Sequence, residues 1–243
     1  MVELKKLLKS SLRAFNEMLR RRTPEARTEG ARKAHPAMVP IRSLGARHRK
    51  RIEEHLLSLE PQDRYLRFGY AANDEQISRY VEQMNFERDE IFGIYNRKLE
   101  LIAMAHLAFL ASASYESWGE FGVSVLSKAR GRGYGARLFD RAVIHARNHG
   151  VSLLLIHALS ENSAMLKIAR KAGATIERDG SESEALLRLP PATMDSFMTE
   201  MMEEQLALND YRIKVQLKRF WNFLTGVQEI RQGVRDARKK TGM

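Results

Sequence analysis

Residues 129–138 read ARGRGYGARL, three glycines and three arginines in ten positions. Glycine enters backbone conformations closed to other residues, so several N–H groups can converge on one point. A helix starting directly after such a turn adds its partial positive charge, and Arg130 and Arg132 add full charges. The chemistry is that of an anion cradle, and the ligand group it suits is a phosphate or pyrophosphate. A Walker A loop needs G-x-x-x-x-G-K-[ST], which is missing. A Rossmann turn needs G-x-G-x-x-G/A, and Gly131, Gly133 and Ala136 satisfy it. The strand that follows, however, carries no acid at its end for a ribose hydroxyl.

Other residues invite chemistry less strongly. His145 and His149 have metal-ligand spacing, i and i+4 on one helix, but no glutamate stands between them and no third ligand is evident. An exposed helix end explains them better, and no metal is expected. His106 lies in an apolar strand and either faces a substrate cleft or is a hydrogen-bonded core histidine. Asp63, Arg64 and Arg67 either shape an acceptor site or form a structural ion-pair corner.

The elements that must position these residues follow from periodicity. MVPIRSL (38–44) predicts a short strand and ARHRKRIEEHLLSLE (46–60) a helix. PQDRYLRFGY (61–70) follows and is assigned no element. Asp74 is the expected N-cap of a helix over 75–84. EIFGIYN (90–96), LELIAMAHLAFL (99–110) and WGEFGVSVL (118–126) read as a meander of three strands. RLFDRAVIHARNH (137–149) reads as a helix stopped by Gly150, and VSLLLIHAL (151–159) as a strand buried on both faces. A helix over 163–172, closed by Gly173, and a terminal strand pair complete the set. The meander before the glycines argues against a βαβ nucleotide fold and for a mixed sheet with one β–α–β crossover.

The resemblance these residues carry is to the GNAT superfamily of N-acetyltransferases. Arg130–Gly135 matches its acetyl-CoA signature [Q/R]-x-x-G-x-[G/A]. Val123 and Val125 precede the signature at the family's spacing, and Leu138 follows it on the helix. Asn162 and Gly173 match its N-x₁₀-G pattern. DRYLRFG (63–69) and GEFGVSV (119–125) look like stretches of bacterial protein-lysine acetyltransferases. The resemblance implies an α/β (α+β) chain with the GNAT fold: a mixed, mostly antiparallel central sheet splayed between the strands at 118–126 and 151–159, with extra terminal helices. It also implies acetyl-CoA as co-substrate and direct attack of a primary amine, on a protein lysine or a small molecule, upon the thioester. Pantetheine would pair with the strand of Val123 and Val125. Residues 131–136, including Gly131, Arg132, Gly133, Tyr134, Gly135 and Ala136, would hold the pyrophosphate together with Arg130, and Asn162 belongs to the same cofactor set. Glu120 takes the place of the family's frequent strand glutamate, a general base, or else is a solvated or ion-paired carboxylate at a strand start. Arg64, Arg67, His106 and Tyr115 are the acceptor-side candidates. The family usually places a tyrosine, its general acid, seven residues after the asparagine; here that residue is Ala169. The departure keeps open a non-catalytic acyl-CoA-binding regulatory module.

The net charge of +11 belongs to the ends. Residues 1–34 hold ten Lys/Arg against four Asp/Glu and residues 210–243 nine against three, while 35–209 hold 22 against 23. The expected organisation is a basic amphipathic helix and linker over 1–34, the acetyltransferase domain over 35–190 and a helical extension over 191–243. The terminal helices are expected to pack on each other, to form a homodimer or, less readily, to lie on a membrane surface or meet an acidic partner. Nucleic acid is not an expected partner. The absence of cysteine excludes disulfides and a cysteine nucleophile. The N-terminus lacks the apolar core of a signal peptide and no segment is apolar enough to span a bilayer, so the expected location is cytoplasmic.

Overall fold

The computed structural model describes residues 39–110 and 117–241, with side chains as far as Asn222. The expected N-terminal helix and linker, and Tyr115, lie outside the described residues.

Seven strands form one sheet: β1 (Arg42–Ser43), β2 (Glu90–Tyr95), β3 (Leu101–Leu110), β4 (Trp118–Val125), β5 (Leu153–Leu159), β6 (Thr175–Asp179) and β7 (Glu182–Arg188). Their order is β1-β2-β3-β4-β5-β7-β6, and every neighbouring pair is antiparallel except β4–β5. This is the mixed, mostly antiparallel sheet that the residue pattern implied. The apolar run at 38–44 supplies only a two-residue strand. Pro40 has no N–H to donate, the Leu44 N–H makes the last bond to β2 at the Ile91 carbonyl, and the Ile41 and Leu44 side chains enter the core.

Three helices cover one face. α1 (Arg49–Leu57) buries Ile52, His55 and Leu56. The unassigned stretch PQDRYLRFGY is a second helix, α2 (Pro61–Phe68). Pro61 opens it, where a missing N–H costs nothing, and Gly69 closes it in the left-handed region at φ 80°. α3 (Asp74–Glu82) is capped by Asn73 and not by Asp74. The Asn73 side chain accepts from the Gln76 N–H at 2.9 Å, and the Gln76 side chain accepts from the Asn73 N–H at 3.0 Å. Only the asparagine, three residues before Gln76, can close this reciprocal box.

The other face carries α4 (Tyr134–Asn148), with α5 (Ser163–Lys171) beside it. Strand alternation sends Phe121 towards α4, where its ring meets Phe139 edge-on at 5.0 Å, and sends Gly122 towards α2. α4 starts three residues earlier than the apolar period predicts, because left-handed Gly133 turns the chain straight into it. A last helix, α6 (Met194–Thr241), runs for 48 residues and lays its first half against α4 and β1.

Candidate functional site

The chain leaves β4 through Leu126, whose N–H is bonded to the Ile102 carbonyl at 3.0 Å, and makes a single 3₁₀ turn over Ser127–Ala129. Gly131 and Gly133 then adopt φ 74° and 75°. A Cβ on either would meet no atom within 4 Å, so glycine is needed there for the backbone conformation and not for room. Gly135 is different. A Cβ on it would come within 3.4 Å of Ile168, so the first turn of α4 lies tight against α5. Gly133 caps α4 without any side-chain acceptor, which leaves the first N–H groups of a 15-residue helix available to an anion. The two arginines differ. Arg130 is ion-paired with Asp63, a buried carboxylate on α2, whereas Arg132 has no partner among the described residues. Asp63 therefore ties the cradle to the opposite face of the sheet.

A slot leads into the cradle. The parallel register of β4 with β5 comprises only Trp118–Leu153, Gly119–Leu154 and Glu120–Leu155. Beyond it, β4 from Phe121 to Val125 pairs with β3 alone, and β5 from Ile156 to Leu159 pairs with β7 alone. The facing backbone edges are unpaired where half-buried Val123 and Val125 approach the cradle. Asn162 stands across the slot, where it caps α5 by accepting from the Met165 N–H at 3.1 Å and donates to the Leu66 carbonyl at 3.4 Å. Its described bonds hold the α5 terminus to α2.

Glu120 is half-buried at the last paired position of β4, on the face it shares with Gly122 and Ser124. Over that face lies the Arg67 guanidinium. A Cβ on Gly122 would be 2.6 Å from Arg67 Nη2, so any larger residue there would displace the guanidinium. Arg67 Nη2 donates to the Tyr80 hydroxyl at 2.8 Å, and that hydroxyl lies 2.7 Å from His106 Nδ1. His106 Nε2 faces Asp89 at 3.2 Å. Burial, and then the charge of Arg67, lower the His106 pKa, so the ring is neutral near pH 7. A neutral ring that donates from Nε2 to Asp89 must accept at Nδ1, so the tyrosine hydroxyl donates to it. Burial disfavours the Asp89 carboxylate, but Arg88 and His106 outweigh it and the pKa falls. The structure thus brings Arg67 and His106 together beside Glu120, joined by Tyr80 and Asp89, which nothing in the spacing marked out. Tyr80 was legible only as one turn of an amphipathic helix.

Arg64 is not part of this group. Its guanidinium donates to the carbonyls of Leu57, Leu59 and Ala72 and to Asp74, so it pins α1, α2 and α3 to one another. His145 does not present a free ligand edge either. Its Nδ1 bonds Glu200 of α6 at 2.5 Å, and its ring stacks on His149 at 3.9 Å. Ala169 is a fully buried residue of α5, so no hydroxyl reaches the slot from that position. A cavity of about 950 Å³ lies between α1, the β2–β3 turn and α6, and neither the cradle nor Glu120 lines it.

Residues 54–174 match the model of the Acetyltransferase (GNAT) family. Two solved structures share the fold at low identity. The GNAT domain of S. lividans PAT aligns with a TM-score of 0.53 at 18% identity, over 65% of this chain and 99% of that one. A putative acetyltransferase from Acinetobacter baylyi aligns with a TM-score of 0.50 at 18% identity, over 61% of this chain and 93% of that one. No curated protein sequence matches the chain. With the glycine cradle, the splayed parallel pair and the family match coinciding on one stretch, the chain is a member of the acetyltransferase (GNAT) family through its central domain.

Proposed function

We propose that the protein is an N-acetyltransferase that moves an acetyl group from acetyl-CoA to a primary amine by direct attack, without an acyl-enzyme intermediate. The observation that carries the reading is the unpaired slot between β4 and β5 opening onto two left-handed glycines at an uncapped helix start. The residues present fit the ligand: backbone edges for an extended amide chain, and N–H groups with Arg132 for a pyrophosphate. Acetyl-CoA would supply an acetyl thioester, and the chain would supply position and proton transfer.

A lysine-type amine has a pKa of about 10.4 in water and must lose a proton before it attacks. Glu120, half-buried at the inner end of the slot, is the proposed proton acceptor. Arg67 helps from the same face, because a neighbouring cation disfavours the ammonium form. Buried Ala169 offers no acid, but a thiol of pKa about 8.5 can leave as its thiolate. The same alanine favours one second reading, an acyl-CoA-binding module that does not turn over.

Isothermal titration with acetyl-CoA tests the common layer, and absence of binding removes both readings. Thiol release in the presence of an amine panel, protein lysines included, then separates enzyme from module. With an accepted amine, Glu120→Gln is expected to lower kcat by about 10²-fold or more while acetyl-CoA affinity holds. Unchanged turnover under chemistry-limited conditions removes Glu120 from the role.

A further inference from the structure

One face of α6 is docked and another is bare. Ser196, Glu200, Ala207, Tyr211 and Lys214 turn towards the domain, where Tyr211 accepts from Arg51 at 2.8 Å and Lys214 donates to the Tyr95 carbonyl at 3.0 Å. Along another face of the helix, Met198, Met202, Leu206, Ile213 and Phe220 are exposed, Ile213 and Phe220 by 58% and 55%, with Ile213 also bordering the cavity beside α1. Leu206, Ile213 and Phe220 are spaced seven residues apart, and the sequence keeps that interval at Val227 and Val234. An apolar residue every seventh position is the spacing of helices that pair along their length. Among the described side chains the row runs from Met198 to Phe220, about 33 Å of helix, and is too continuous to leave in water.

Charge along the helix selects what covers this row. Residues 191–211 hold five acidic residues and no lysine or arginine, whereas residues 212–243 hold nine Lys/Arg against two acids. Arg141 offsets only part of the Glu200, Glu203 and Glu204 charge. We propose that α6 is the interface of a homodimer in which two copies of this helix pair antiparallel, acidic half against basic half, about a two-fold axis near Gln216. Parallel pairing would set nine cations against nine, while antiparallel pairing sets opposite signs together at both ends. The two-fold axis makes both ends of the interface the same, the isologous arrangement of most protein dimers. Met198 then lies against Val234 of the other copy, and Met202 against Ile230. An anionic membrane suits the basic half alone, because the acidic half repels it. This proposal does not depend on the acetyl-transfer reading.

The full chain tests it. Light scattering at tens of micromolar protein is expected to give twice the chain mass of 27.9 kDa. Met198→Asp combined with Met202→Asp is expected to return the monomer with unchanged circular dichroism, since both side chains are exposed. Because the chain has no cysteine, single cysteines report orientation. An equimolar mixture of Met198→Cys and Val234→Cys is expected to cross-link between the two variants, and neither variant with itself. A monomer at every concentration overturns the proposal, as does a dimer that survives the double aspartate variant. Links of 198 to 198 and 234 to 234 overturn the orientation. A monomer that co-sediments with phosphatidylserine vesicles, and stops doing so in the double variant, assigns the face to a membrane instead.

Discussion

At the scale of single residues, the cradle was legible because glycine is a backbone statement. Gly131 and Gly133 occupy the left-handed region, which only glycine enters without strain, so a turn that needs them shows in the sequence. Gly133→Ala is expected to cost about 1–2 kcal/mol, with no steric clash to add to it. The strain also moves the N–H groups at the start of α4, so acetyl-CoA affinity is expected to fall about tenfold or more, read by titration beside a thermal melt. The partners of charged residues were not legible in the same way. Arg130 and Arg132 look equivalent in sequence, yet Arg130 is held by Asp63 from 67 positions away, and Arg64 is spent on carbonyls. Side-chain partnerships depend on which elements fold against each other, and residue spacing does not record that.

At the scale of elements, β4 is supported by α1 through one buried histidine. His55 Nδ1 lies 2.9 Å from the Leu101 carbonyl and Nε2 lies 2.8 Å from Ser124 Oγ. Burial pushes its pKa down from 6.5 to about 4, so the fold holds the neutral ring. A histidine whose folded pKa is depressed contributes its full stability above the unfolded pKa of 6.5 and loses it as pH falls through about 4. Over that window the loss amounts to about 3 kcal/mol. Urea unfolding at pH 7 and pH 4 is expected to show it, with a smaller difference in His55→Gln. An unchanged difference in that variant would assign the acid sensitivity to other groups. Two of the boundaries that depart from the periodicity, α2 and the cap of α3, lie where short polar segments carry the signal in one or two residues.

At the scale of the whole molecule, α6 is joined to the domain by a buried arginine. The Arg141 side chain is 3% exposed, lies 3.2 Å from Glu200 and 3.3 Å from Glu204, and stands over the Phe92 ring at 5.3 Å. Burial favours protonated Glu200, but hydrogen bonds from His145 and Asn148 and the charge of Arg141 prevail and bring its pKa down to about 2. That contribution is complete above about 4.5 and is lost as pH falls towards 2, so α6 is expected to loosen over that window. Arg141→Ala leaves three glutamates without their guanidinium and is expected to cost about 3–5 kcal/mol, measured by the urea midpoint. A cost below about 1 kcal/mol would mean that apolar contacts alone hold the helix.

By itself the sequence determined the order of the strands, the glycine turn before α4 and the basic character of the ends, because periodicity, glycine and charge act over a few residues. The tertiary structure alone decided that β4 parts from β5 after Glu120. It alone linked Arg67, Tyr80, His106 and Asp89 in one hydrogen-bonded chain, and left one face of α6 uncovered. Each of these is a meeting, or a failure to meet, between segments far apart in the chain, and the free energy that settles it comes from packing and burial of whole faces.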